Sequence, residues 1–150
     1  MKKLIEKIKS LYPEKELQEN DKIFCVLDVD NDTDEMIQEA IRVKPEYIQL
    51  NLSNPNFELW LLLHFAYHNQ SLSIDETFTK LRNHIPDYTK PNIESIFQTL
   101  KENENNALTH TARLRNYHLR SDIDLNSRDA NPYTSVDEVV KFLNSLVPAP

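Results

Sequence analysis

The chain has 150 residues and a formal net charge of −7, with 39% apolar and 27% charged residues. That length and balance fit one globular domain able to bury a core, and an acidic chain of this kind would need a local basic patch or a bound cation to meet nucleic acid. One cysteine excludes an internal disulfide, no apolar run approaches the ~20 residues of a bilayer-spanning helix, and the absence of glycine excludes glycine-rich phosphate loops.

The expected setting is cytoplasmic, with no membrane association: MKKLIEKIKS interleaves charges with apolar residues and does not read as a signal peptide. Without glycine, left-handed turns and helix C-caps are expected to fall on Asn or Asp.

Leu4, Ile5, Ile8 and Leu11 share one face of an N-terminal helix that Pro13 ends. Ile23 to Leu27 is a compact apolar run and predicts a strand buried on both faces. A helix with Met36, Ile37, Ala40 and Ile41 inward follows, capped by Asp32 with Glu35 completing a capping box. Tyr47, Ile48, Leu50 and Leu52 predict a second strand, so the order strand–helix–strand implies a parallel pair.

In SNPNFELWLLLHFAYHN, Asn54 is the expected N-cap and Pro55 the first residue of a largely buried helix reaching about His68. Ser73 and Glu76 predict a capping box before a helix bearing Phe78 and Leu81. Pro91 opens a helix with Ile93, Ile96, Phe97 and Leu100 on one face. NNALTHTARLRNYHLR predicts another helix, and SDIDLNSRDANPYT a polar loop. The last helix opens at Ser135 and Glu138 with Val136, Val139, Val140 and Leu143 inward.

The fold class is therefore α/β: a small parallel sheet flanked by helices, with a helix-rich C-terminal half. Residues 1–150 read as a single domain, with helix and loop over 1–21, the strand–helix–strand core over 22–52 and mainly helix over 53–147. Two strands make a poor sheet by themselves.

FCVLDVDNDTDE poses the functional question, because Asp28, Asp30, Asp32, Asp34 and Glu35 follow the first strand at once. Asp28 and Asp30 lie two apart and would point to one face at a strand's C-terminal end, where α/β sheets bind ligands. Mg²⁺ takes hard oxygen donors and only one or two protein carboxylates, so this pair is a candidate metal site. Asp34 and Glu35 suit the first turn of a helix instead.

An EF-hand loop counted from Asp28 has Thr33 where glycine belongs, and a phosphatase-type DxDx(T/V) signature has Asp32 where Thr or Val belongs. His64 and His68 have metal-ligand spacing but lack the Glu of HExxH, and read as a core and a helix-end histidine. Cys25 reads as a small buried residue. Glu58, in the first turn of an apolar helix, is either a surface dipole partner or a buried carboxylate requiring a partner or a metal. Arg113, Arg115, His118 and Arg120 form the best basic cluster, read either as a solvated face or as a phosphate contact, with Lys90 a lone addition.

Three segments together resemble the RloB-like family. They are the apolar strand ending in D-x-D at Asp28 and Asp30, S-N-P-x-F-E-x-W-L-L-L-H-F over Ser53 to Phe65, and N-P-Y-T-S-V over Asn131 to Val136. The resemblance runs from about Lys22 to Leu146, and its middle motif is long and unusual.

It implies a TOPRIM-related α/β domain in a prokaryotic phage-defence system, including the AbiL-type abortive infection systems, encoded beside a partner ATPase and often near restriction-modification genes. The implied role is the nuclease component. Asp28 and Asp30 would hold Mg²⁺ or Mn²⁺ beside a phosphodiester of DNA or RNA, with Glu58 in support as a catalytic residue. Arg113, Arg115 or Lys90 would contact phosphate.

TOPRIM-type chains also carry an earlier strand ending in a catalytic Glu, for which nothing before Lys22 reads as a counterpart. The alternative is accordingly a non-catalytic interaction module that binds a partner ATPase or forms a homo-oligomer through an exposed sheet edge.

Overall fold

The structure, a computed structural model, describes residues 1–18, 21–89 and 96–146. Helix α1 (Lys2–Leu11) is followed by a short 3₁₀ turn at Glu14–Glu16. Then come strand β1 (Ile23–Asp28), helix α2 (Asp34–Val43), strand β2 (Ile48–Asn54) and helix α3 (Glu58–Leu63). Helices α4 (Ile74–Arg82), α5 (Phe97–Glu102) and α6 (Glu104–Arg120) lead to strand β3 (Tyr133–Thr134) and helix α7 (Val136–Ser145).

β1 and β2 pair in parallel from Ile23↔Ile48 to Asp28↔Ser53, with α2 as the connection, as the strand–helix–strand order predicts. The sheet is nevertheless mixed. β3 pairs antiparallel with the end of β2, at Ser53↔Thr134 and Asn54↔Tyr133, in a stretch expected to be loop. Two residues are too few to give a periodic signal. Ser135 extends the pairing, its N–H donating to the Leu52 carbonyl at 3.0 Å and its Oγ accepting from the Leu52 N–H at 3.0 Å.

β1 is not buried on both faces: Val26 is 40% exposed. The sheet order β1–β2–β3 leaves β1 at an edge. The Ile23 and Val29 N–H groups donate to the Tyr47 and Ser53 carbonyls, so odd-numbered positions address β2. Phe24, Val26 and Asp28 direct their backbone groups to the opposite side, where no strand lies among the described residues.

Apolar side chains sort into three clusters. Ile5 from α1 and Ala40 from α2 pack with Cys25 and Ile48, which confirms Cys25 as a small core residue. Val29, Ile37 and Leu52 form a second cluster beside the end of β1. The largest joins every residue of α3 from Leu59 to Leu63 to Leu81, Ala107, Leu114 and Tyr133. Val136 belongs to that cluster, but Leu143 is 54% exposed, contrary to the expected inward stripe.

The helix ends show local chemistry overriding the simplest reading. α2 is capped by Thr33, not Asp32, with Thr33 Oγ1 accepting from the Met36 N–H at 3.4 Å. α3 starts three residues later than expected and stops at Leu63, where i→i+3 bonds from His64 and Phe65 tighten its last turn. Asn54 does not cap it, because Asn54 belongs to β2 and its side chain donates to the Arg128 carbonyl at 2.9 Å. α5 starts at Phe97, which is 63% exposed, and the expected start at Pro91 with Ile93 lies outside the described residues.

α4 carries the predicted capping box in full: Ser73 Oγ accepts from the Glu76 N–H at 3.2 Å, and Glu76 Oε2 accepts from the Ser73 N–H at 2.8 Å. Ser73→Ala removes one half of that exchange and should lower stability by about 1 kcal/mol in urea denaturation; an unchanged midpoint would show that the cap contributes nothing.

Candidate functional site

The ends of β1 and β2 lie side by side, and the chain on each side turns sharply. After Asp28 and the buried Val29, Asp30 adopts φ 33°, in the left-handed region. Among the described residues only Asp30 and Asp122 have positive φ, so aspartate does take the place of the missing glycine. The turn closes with the Asp32 N–H donating to the Val29 carbonyl at 2.8 Å.

The turn is tied to the end of β2 and the segment after it by three bonds. The Val29 N–H donates to the Ser53 carbonyl at 2.8 Å, and the Asp30 N–H to the Pro55 carbonyl at 3.1 Å. Asp28 Oδ1 accepts from the Phe57 N–H at 2.8 Å, which supplies from another strand the acceptor that the start of α3 lacks in its own N-cap. Arg128 covers the flank: its N–H donates to Asp34 Oδ1 at 2.7 Å and its guanidinium to the Asp32 carbonyl at 3.0 Å. Nothing in the spacing of Arg128 marks it as a neighbour of the acidic run, which lies more than ninety residues away.

The expected carboxylates therefore separate into different environments. Asp28 is half-buried and bonded to the start of α3, whereas Asp30 is exposed, and its carboxylate makes no hydrogen bond or ion pair among the described residues. Glu58 is 2% exposed, and its Oε1 accepts from the Tyr88 hydroxyl at 3.2 Å. Of the two readings of Glu58, the buried carboxylate with a protein partner is the one realised. Among the described residues no three of His, Cys, Asp and Glu converge so as to hold a metal ion. Glu58 faces Tyr88 in the helical core and directly follows Phe57, whose N–H meets Asp28.

His64 is the expected core histidine, whereas His68 is half-buried in the irregular segment after α3 and is not a helix-end histidine. His64 is buried, its Nδ1 lies 2.9 Å from the Trp60 carbonyl, and burial pushes its imidazole below the ordinary range. Burial lowers His68 in the same way, with Lys80 adding to the effect.

The basic cluster of α6 is split by helical geometry. His118 lies on the buried stripe with Ala107, Thr111 and Leu114. Arg115 turns toward α7, where its Nη2 donates to both oxygens of the fully buried Asp137 at 3.0 and 3.1 Å and to Glu138 at 3.3 Å, while Nε donates to the Tyr133 hydroxyl. Lys141 adds a second cation to Asp137 at 2.7 Å. These bonds draw Arg115 toward α7, with its side chain still 23% exposed. Arg113 and Arg120 point elsewhere, and Lys90 lies outside the described residues.

The family model described as RloB-like protein matches residues 1–143. No match was found among curated proteins or among solved structures.

Burial, followed by the adjacent Glu58 carboxylate, pushes the Tyr88 phenol up to about 12. The folded protein therefore holds this proton more tightly than the unfolded chain, whose phenol ionises near ~10. Stability from this group is complete below about pH 10 and falls as pH rises toward 12. Tyr88→Phe should flatten that part of the stability–pH curve; an equal alkaline loss in the variant would place the proton elsewhere.

Proposed function

The chain belongs to the RloB-like family, and from that premise we propose that it is the cation-binding subunit of a prokaryotic phage-defence system. In this reading Asp28 and Asp30 hold Mg²⁺ or Mn²⁺ for cleavage of a phosphodiester in DNA or RNA. The observation that carries the reading is Asp30: an exposed carboxylate with no hydrogen bond or ion pair among the described residues, on a backbone at φ 33°, beside Asp28 at the C-terminal end of a parallel strand. Aspartate is one of the few residues that tolerate this left-handed conformation, and the ends of parallel strands are where α/β sheets bind ligands.

The donor chemistry fits the ion. Mg²⁺ takes one or two carboxylates and keeps several waters, so two hard oxygen donors suffice. A cation there would stabilise the attacking or leaving oxygen of the phosphodiester. The protein's own share is to fix the two carboxylates. The Phe57 N–H orients Asp28, and the Pro55 and Ser53 carbonyls hold the turn that carries Asp30. Glu58, whose Oε1 accepts from the Tyr88 hydroxyl, is the supporting carboxylate of this reading.

A second reading is favoured by one specific feature, the edge of β1, with which no further strand pairs among the described residues. There the chain is a non-catalytic module that pairs through β1 with a partner ATPase or with a second copy of itself.

Calorimetric titration of Mn²⁺ and Mg²⁺ into the wild type and Asp28→Asn/Asp30→Asn separates the two. The Asp28→Asn change keeps an acceptor oxygen for the Phe57 N–H, so the double variant should fold, as a melting curve would verify. The cation reading expects one ion bound per wild-type chain and none in the variant. An unresponsive wild type that sediments as a dimer would overturn it in favour of the interaction module.

A further inference from the structure

The helical split of the basic cluster leaves two arginines unaccounted for. Arg113, Asn116, Tyr117 and Arg120 are spaced i, i+3, i+4 and i+7, so they share one face of α6. The opposite stripe, through Leu114 and His118, is buried. Tyr67 and Asn69, in the segment after α3, form the facing wall of a concavity of about 520 Å³. No aspartate or glutamate lines it, and among the described residues neither guanidinium bonds a carboxylate. In a chain of net charge −7 this is a local reversal of sign.

The chemistry of the walls is specific. Arg113 lies over the Tyr67 ring at 3.9 Å from its centroid, which fixes the guanidinium while leaving its in-plane N–H groups to meet an anion. Tyr117 is 42% exposed and meets the ring of its neighbour, the buried His118, at 5.3 Å in an edge arrangement, so part of its ring stays accessible. Asn69 and Asn116 add amides with both donors and acceptors. A ring for stacking, cations for phosphate and amides for base edges are what an unpaired nucleotide requires. A duplex, whose bases are already stacked, could use only the cations.

We propose that the concavity between α6 and the Tyr67–Asn69 segment binds an unpaired nucleotide of a single-stranded nucleic acid, with the base on Tyr117 and phosphate on Arg113 and Arg120. The site uses residues separate from the strand-end aspartates and shares with the cation reading only the class of ligand.

Fluorescence anisotropy with labelled 12-nucleotide single strands of RNA and DNA tests this, in EDTA so that the strand-end cation plays no part. Single strands should bind more tightly than a duplex of the same length. Tyr117→Ala should weaken single-strand binding about tenfold, within the range of losing one base stack. Arg113→Gln/Arg120→Gln should weaken it further and reduce the slope of log affinity against log salt by about 1.4, for two phosphate contacts on a single strand. The altered side chains are exposed on α6, and circular dichroism confirms that the helix persists. Equal binding of duplex, no effect of Tyr117→Ala, or displacement of the strand by an equal concentration of uridine monophosphate would each overturn the proposal. Loss of cation binding by Asp28→Asn/Asp30→Asn would leave these results unchanged, so the two readings fail separately.

Discussion

The end of β1 is held by a hydrogen bond between parts of the chain that are distant in sequence, from the Phe57 N–H to Asp28 Oδ1 at 2.8 Å. A helix start has N–H groups with no partner in the helix itself, and a buried start needs acceptors from elsewhere. α3 is buried along its whole length, and its own N-cap contributes no side-chain bond. The acidic residue at the end of β1 fills that role. One carboxylate thereby links the sheet to the largest apolar cluster and fixes the turn in which Asp30 is presented. The proposed cation contact and the structural bond fall on the same side chain, so Asp28→Ala would confound them where Asp28→Asn does not.

A related division of labour separates the charges of α6. A helix turns by about 100° per residue, so neighbouring arginines in sequence face different surroundings. Arg115 compensates Asp137, a fully buried carboxylate that would be strongly destabilising without its cations. Arg113 and Arg120, seven residues apart, fall together on the opposite, solvent-facing side beside Tyr67 and Tyr117. An acidic protein thus gains a small cationic surface without a basic composition, provided that no carboxylate shares the concavity.

The parts of the fold with strong local signals were legible in the sequence. The β1–α2–β2 unit follows from one apolar run, one amphipathic stripe and a second apolar run, and the Ser73–Glu76 cap from its spacing. The family resemblance likewise rested on contiguous motifs, and the family match covers them. What escaped was non-local. β3 is two residues long and exists because Asn54 and Ser53 offer it a partner. Asn54 looks like a helix cap until that pairing claims it. Glu58 acquires Tyr88 across thirty residues, Arg115 acquires Asp137 across twenty-two, and Arg128 reaches the acidic turn across ninety-six. Side-chain pairs of this kind decide whether a charged residue is a site or a strut, and periodicity is silent about them.

The most direct test of the strand-end account is residue-resolved. Substoichiometric Mn²⁺ added to isotopically labelled protein should broaden the amide resonances of Asp28, Asp30 and Phe57 first, while those of α4 stay sharp. Broadening centred instead on Asp122 and Asp124, or spread evenly over the acidic surface, would contradict a cation site at the end of β1.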